Sequence, residues 1–251
     1  HRIHGIVNGD HFQIIYSDTP GILNPNYKLQ ENMLRAARSA LSDADIILYV
    51  TEPSLTPDPE DEIIKKLKVS DIPVFLVINK IDLASKSEVK SLETEWQRIL
   101  PTVFIISVSA KKGRNMNRLL NKILKYLPHS PPYFPKDALT DKSERFFAGE
   151  FIREKILLNY KQEVPYSVEI EIEEFKESTK INRIRAVIYV ERNTQKGILI
   201  GKNGEALKRT GTQARLEMEE FFGKKVFLEL FVKVKKDWRS NERILKGFGY
   251  R

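Results

Sequence analysis

The chain has 251 residues, enough for one large hydrophobic core or two smaller ones. It contains no cysteine, which excludes disulfides, thiolate metal sites and thiol nucleophiles. The longest apolar runs have the length of a strand, so we expect no membrane-spanning helix, and no secretory signal opens the chain. The four histidines do not have the spacing of metal ligands.

The net charge of +8 is distributed unevenly. Residues 1–137 hold 18 Lys and Arg against 16 Asp and Glu, whereas residues 138–251 hold 24 against 18. The last sixty residues, 192–251, hold 15 basic and 7 acidic residues. This density favours binding to nucleic acid or to an anionic membrane surface, and a solvated lysine-rich face is the alternative.

The first elements form a hairpin that leads into a candidate phosphate site. Two strands within Gly5–Ser17 flank an Asn-Gly turn, and the second, Phe12–Ser17, runs into Asp18-Thr19-Pro20-Gly21. A DxxG at a strand end is how P-loop nucleotide hydrolases place a carboxylate near Mg²⁺ and a glycine N–H against the terminal phosphate. An ordinary Pro-Gly turn is the alternative.

Helices and strands then alternate, which predicts a doubly wound, mostly parallel α/β sheet. The predicted helices are Leu29–Leu41, Glu60–Val69, Ser85–Leu100 and Asn115–Leu127. The predicted strands are Ile46–Val50, Val74–Ile78 and Val103–Ile106.

Polar residues follow the strand Val74–Ile78, in the sequence Asn79-Lys80-Ile81-Asp82. The ends of such strands are where ligands collect. A carboxylate such as Asp82 can accept the adjacent N–H donors of a guanine edge, Asn79 can meet O6 and N7, and the Lys80 stem can lie along the ring. The alternative is a polar strand end that begins a loop.

A second polar loop, Ser107–Lys111, follows the strand Val103–Ile106, and its small residues would let a backbone N–H reach guanine O6. The sequences DTPG, NKID and Ser109-Ala110-Lys111 thus follow three strands, with the order and gaps of the third to fifth motifs of Ras-like GTPases. The first part of the chain resembles such a domain. The resemblance implies GTP or GDP as ligand, with Asp18 contacting Mg²⁺ through water.

Two departures from the Ras-like pattern bear on activity. The P-loop GxxxxGK[ST] should precede DTPG by several tens of residues, but seventeen residues precede Asp18 and the motif is nowhere in the chain. We therefore expect the natural protein to be longer at its amino terminus, and the chain as printed to hydrolyse GTP poorly. Ile22 occupies the place of the water-orienting glutamine, which predicts slow intrinsic turnover. We identify no catalytic residue in the sequence.

The segment Leu127–Asp137 has four prolines in eleven residues and marks a domain boundary. We predict a first domain at 1–127, a linker at 128–137 and a second domain at 138–251. The elements predicted after the linker are, in order, a helix, two strands, two helices and a strand: Arg145–Tyr160, Val168–Glu173, Ile184–Val190, Gln195–Ile200, Glu205–Phe222 and Val226–Val234.

The GxxG sequence Gly201-Lys202-Asn203-Gly204 joins the two later helices. This is the signature of a KH domain, whose loop clamps the backbone of single-stranded nucleic acid, and the element order resembles the type II arrangement. Ile198, Leu199 and Ile200 could supply the apolar side of a groove, and Lys208 and Lys202 supply cations. A turn connecting two helices is the alternative.

The carboxyl-terminal segment interleaves aromatic and basic residues, as expected where bases stack and phosphates pair. The cations Lys235, Lys236 and Arg239 are candidate RNA ligands, and Trp238 is a candidate stacking platform. The alternative is that Trp238 belongs to a capping element packed on the sheet.

Together, DTPG, NKID, SAKKG, FIREKIL, EVPYS and GKNG resemble the Era family of bacterial GTPases over the whole chain. The resemblance implies a GTP-dependent factor of small-ribosomal-subunit assembly whose KH domain holds the 3′ end of 16S ribosomal RNA. It also implies a cytoplasmic protein with peripheral association at the inner membrane, and we expect a monomer.

Two other interpretations remain. A GTPase with tandem GTPase domains would show a second set of DxxG and NKxD motifs, which the sequence does not contain. A non-catalytic RNA-binding protein with a degenerate GTPase domain is the other.

Overall fold

A computed structural model describes residues 3–19, 28–32 and 43–250. The chain divides into two compact units, one of Asn8–Ile14 and Arg38–Asp137, the other of His1–Val7, Ile15–Ala37 and Ala138–Arg251. The predicted bounds at 127 and 137 stay a prediction. Of the predicted helix Leu29–Leu41, residues 29–32 are helical, as is residue 28 before them, and residues 33–41 lie outside the described ranges.

The predicted hairpin is confirmed. Strands β1 (Ile3–Asn8) and β2 (Gln13–Asp18) form a two-stranded sheet of their own. The Gly9 N–H donates to the Phe12 carbonyl at 3.0 Å. A Cβ on Gly9 would lie 2.3 Å from the Phe12 ring, so this turn requires a glycine.

A three-stranded parallel sheet lies at the centre of the unit that contains Arg38–Asp137. Its order is β3-β4-β5, with β3 (Ile47–Thr51), β4 (Val74–Ile78) and β5 (Phe104–Ser107). All five β4 residues are buried, as the apolar run predicts for a central parallel strand. The parallel pairing confirms the predicted α/β class for this part.

Three helices follow these strands: α1 (Glu62–Lys68), α2 (Lys86–Ile99) and α3 (Met116–Leu124). The Ser85 hydroxyl accepts the Glu88 N–H at 3.3 Å and the Glu88 carboxylate accepts the Ser85 N–H at 2.7 Å, a capping box that starts α2. Apolar residues of α1 and α2 pack on β4 in one cluster, which includes Ile64, Leu76 and Trp96. The helices thus fix the sheet, and the loops that follow β4 and β5 have exposed residues such as Lys80 and Ala110.

Residues 138–250 of the other unit have an α+β fold with three strands and four α-helices. The sheet has the order β6-β7-β8, with β6 (Glu169–Lys176) antiparallel and β8 (Lys225–Val234) parallel to β7 (Ile181–Val190). The helices are α4 (Glu144–Asn159), α5 (Asn193–Ile200), α6 (Glu205–Phe222) and α7 (Glu242–Gly247). The predicted order of elements is confirmed, and α7 is an additional helix.

A single hydrophobic core joins α4, α5 and α6 to one face of this sheet. Ile152, Leu199 and Met218 are fully buried in it against Ala186 and Ile188 of β7.

In the described part of the chain, no helix has both the length and the apolar character needed to cross a bilayer.

Candidate functional site

Two loops at the carboxyl ends of β4 and β5 are joined by hydrogen bonds. The Asn79 Oδ1 accepts the Ala110 N–H at 3.0 Å, and the Ile81 N–H donates to the Val108 carbonyl at 3.2 Å. The Asn79 amide side chain keeps its N–H₂ group for a ligand acceptor. We expected a backbone N–H of this loop at guanine O6, and in this geometry the Ala110 N–H is directed at Asn79.

Asp82 is oriented by Ser109. The Ser109 Oγ–H donates to Asp82 Oδ1, and Ser109 is fully buried whereas Asp82 is half-buried. This hydrogen bond lowers the pKa of the Asp82 carboxyl, because it stabilises the ionised form. The carboxylate is therefore ionised at neutral pH and can accept a pair of neighbouring N–H donors.

Hydrogen bonds within residues 107–115 hold the loop that carries Ala110 and Lys111 in place. Ser109 and Arg114 exchange backbone hydrogen bonds of 3.2 and 3.0 Å, which closes the loop into a tight turn. Asn115, at φ 60°, donates its side-chain N–H to the Ser107 carbonyl at 2.7 Å. Ala110 and Lys111 stay exposed, where a base could contact them.

Lys80 has a partner that the sequence analysis missed. Its ammonium forms an ion pair with Glu52, the residue directly after β3. The hydrogen bond from Lys80 is the largest cause that lowers the pKa of Glu52, and the Ser54 hydroxyl adds to it with a 2.6 Å hydrogen bond. The pair could have been predicted from the positions of Glu52 and Lys80 directly after two strands, because the carboxyl ends of adjacent parallel strands meet at one sheet edge.

The predicted phosphate residues are only partly described. Asp18 ends β2 and Thr19 follows it, and both are exposed. Pro20, Gly21 and Ile22 lie outside the described residues. Within residues 3–19, 28–32 and 43–250, no group of three or more His, Cys, Asp or Glu could hold a metal ion.

The GxxG sequence forms a tight turn between α5 and α6. Gly201 has φ 71°, and a Cβ there would lie 2.6 Å from the Ala206 Cβ, so only glycine fits. Asn203 and Gly204 also have positive φ, at 53° and 79°. Lys202 and Asn203 are exposed at the tip, and a Cβ on Gly204 would meet open space.

A cleft of about 320 Å³ begins at Gly204 and runs between α6 and β8. Leu207, Leu228 and Leu230 form its apolar wall, and Lys208 and Arg215 are cations on its lining. The expectation that Leu199 lines the groove is wrong, because its side chain is fully buried in the core. Ile200 is half-buried and Ile198 is 51% exposed.

The candidate ligands of the carboxyl-terminal segment have different surroundings. Lys235 lies over the Tyr189 and Phe248 rings, at 4.9 and 4.5 Å from their centroids. Arg239 forms an ion pair with Glu191, and Lys236 is exposed. Trp238 is 1% exposed, so it packs in the fold and is not accessible to a base.

Comparison with known proteins places this arrangement in a family. A family model described as "KH domain" matches residues 163–239, and one described as "50S ribosome-binding GTPase" matches residues 1–80. A protein of Syntrophus aciditrophicus named GTPase Era is 46% identical over 252 residues, covering 99% of this chain and 82% of its own length. The chain belongs to the GTPase Era family.

Other Era proteins agree with this assignment. The GTPase Era of Caldanaerobacter subterraneus is 43% identical, covering 99% of this chain and 84% of its own length. Two solved Era structures each have a TM-score of 0.93 and 38% identity, covering 99% of this chain and 86% of theirs. One holds MgGDPNP and nucleotides 1506–1542 of 16S ribosomal RNA, and the other is a single-residue variant of Aquifex aeolicus Era bound to GDP·AlF₄⁻. This family combines a Ras-like GTPase domain with a KH domain, as the sequence predicted.

Proposed function

We propose that this Era-family chain is a GTP-binding and GTP-hydrolysing switch that binds the single-stranded 3′ end of 16S ribosomal RNA. The observation that carries the proposal is the pair of hydrogen bonds, from the Ala110 N–H to Asn79 and from the Ser109 hydroxyl to Asp82, that joins the NKID and SAK loops. These loops together offer a carboxylate, an amide and a lysine stem, the groups that a guanine base requires.

The nucleotide would be guanine-specific because Asp82 accepts two donors that adenine does not have side by side. Lys80 and Lys111 would flank the base, and Asn79 would meet its acceptors. Asp18 is an exposed carboxylate of the kind that Mg²⁺ takes through water. Bound Mg²⁺ would neutralise charge on the phosphates. The described residues fit this water-mediated role for Asp18.

The RNA would enter at the GxxG turn and lie along the cleft between α6 and β8. The open space at Gly204 lets a backbone approach closely, and Lys202 and Lys208 place cations beside it. Leu207, Leu228 and Leu230 would cover the bases on the apolar side. Lys236 would contact phosphates further along.

The proposal extends to a cytoplasmic, monomeric factor of small-subunit assembly with peripheral contact at the inner membrane. It includes a two-state mechanism, in which γ-phosphate contacts order the segment after Gly21 and change how the KH domain is presented. The excess of basic residues in 192–251 supports contact with a polyanion.

A pair of glycine variants tests the RNA interface. We expect Gly204→Asp to weaken binding of a fluorescent single-stranded oligonucleotide of the 16S 3′ end at least about tenfold, because it puts an anion at the phosphate clamp. Gly223→Asp is the matched control. Gly223 also has positive φ, 64°, and also faces open space, but it lies at the other end of α6.

Fluorescence anisotropy measures both affinities, and circular dichroism checks that both variants fold. The proposal predicts that Gly223→Asp stays within about twofold of the wild type, since surface changes away from the clamp have small effects. Equal RNA affinity for Gly204→Asp and the wild type would show that the turn does not clamp RNA.

A further inference from the structure

Glu52 and Lys80 are neighbours because two parallel strands end side by side. Thr51 of β3 pairs with Ile78 of β4, and the Asn79 N–H donates to the Thr51 carbonyl at 2.8 Å. The residues that follow therefore leave the sheet at the same edge. Lys80 adopts φ 60°, a left-handed backbone that is uncommon for lysine.

Hydrogen bonds with residues that directly follow Glu52 in the chain hold Glu52 in place. The Glu52 carbonyl accepts the Leu55 N–H at 3.0 Å, which closes a turn directly after β3. The Ser54 hydroxyl donates to Glu52 Oε1 at 2.6 Å. Glu52 is 27% exposed at its side chain, whereas the Lys80 side chain is 55% exposed. The carboxylate is thus the more buried partner, and it has the additional hydrogen bond from Ser54.

A lysine stem that must lie along a base loses rotamer freedom when the ligand binds. A fixed carboxylate that already holds the ammonium removes part of that loss before the ligand arrives. We propose that Glu52 is a positioning residue of the guanine site, which acts by holding Lys80 with its methylene stem set to cover the ring face. This inference rests on the proposed guanine site.

Glu52 and Asp82 should then differ in what they control. Asp82 meets the edge of the base and decides which base is accepted. Lys80 covers the ring face, which guanine and xanthine share, so removing Glu52 should weaken both nucleotides by the same factor. A surface ion pair without this role would contribute little to either affinity or stability.

The test measures affinity and release of fluorescent GDP with Mg²⁺ on the full-length natural protein. We expect Glu52→Gln to raise the Kd about fivefold, mainly through faster release, because the stem must be ordered on binding. Glu52→Asp should restore part of the affinity. Glu60→Gln is the matched control, since it breaks another Glu–Lys pair of the same unit, at 2.7 Å from Lys65, and neither residue belongs to the NKID or SAK loops.

A double-mutant cycle separates positioning from a general structural effect. If Glu52 acts through Lys80, Glu52→Gln should have no further effect on Kd in a Lys80→Met background. The inference is overturned if Glu52→Gln binds GDP as the wild type does, or if its effect is unchanged without Lys80. If the wild type itself binds no GDP, or binds ADP equally well, the guanine site fails and the inference fails with it.

Discussion

In the nucleotide site that we propose, one carboxylate, Asp82, selects the base, and the buried Ser109 hydroxyl orients it. The Ser109 side chain is inaccessible to solvent, donates to the Asp82 carboxylate and accepts the Lys112 N–H at 3.2 Å. The motif residues themselves could be predicted from sequence. The pairings Asp82 with Ser109 and Lys80 with Glu52 could not, because each joins residues from separate strands whose register is a property of the whole sheet.

Removing the Ser109 hydroxyl should raise the pKa of Asp82 towards its ordinary value. The hydrogen bond lowers this pKa in the folded protein, so its stabilising effect is present above the ordinary pKa of the carboxyl and is lost as the pH falls through the lowered value. We expect Ser109→Ala to move the titration of the Asp82 carboxyl carbon, followed by NMR, to higher pH.

Ser107→Ala is the control for this change, since the Ser107 hydroxyl of the same loop donates to Glu93 and not to Asp82. It should leave the Asp82 titration where it is. An unchanged titration in Ser109→Ala would mean that the hydrogen bond does not set the pKa.

Among the elements, the positions of strands and helices followed from apolar periodicity, whereas their ends did not. The apolar pattern of Asn115–Leu127 continues to Leu127, but α3 ends at Leu124, where Tyr126 and Leu127 turn back to bond the Ile123 carbonyl. Whether Trp238 is buried depends on α7 and its contact with Phe248, 5.7 Å between ring centroids. Such contacts depend on how elements pack in space, and local pattern does not contain them.

The start of α2 is an element that supports the site, because it follows the NKID loop after only a short turn at Ile81–Leu83. We expect Ser85→Ala to lower the free energy of unfolding by about 1 kcal/mol, since it removes the oxygen that accepts the Glu88 N–H. Urea unfolding followed by circular dichroism measures the change.

Ser91→Ala, at an exposed position of the same helix, is the comparison. It should be neutral or slightly stabilising, because alanine has the higher helix propensity. Equal effects of the two variants would show that the cap contributes nothing specific.

For the whole molecule, one chain combines the proposed guanine site in one compact unit with a GxxG turn in the other. The basic excess lies in residues 138–251, on the side of the chain that contains the turn. In the proposed mechanism, the nucleotide state of one unit biases RNA binding by the other. The predicted fold class and both motifs followed from sequence because each motif comes at the end of a recognisable element. The sequence did not indicate which residues that are far apart in the chain form pairs.

The most direct test of the account is the base selectivity of nucleotide binding. Fluorescent GDP is titrated into the full-length protein with Mg²⁺, with GTP, ADP and xanthosine diphosphate as competitors, for the wild type and Asp82→Asn. We predict that GTP but not ADP displaces GDP from the wild type, and that Asp82→Asn prefers the xanthine nucleotide, because an amide can donate to the xanthine oxygen. Displacement by ADP, or no preference for xanthine in Asp82→Asn, would contradict the account, and RNA binding without any nucleotide binding would favour a non-catalytic RNA-binding protein.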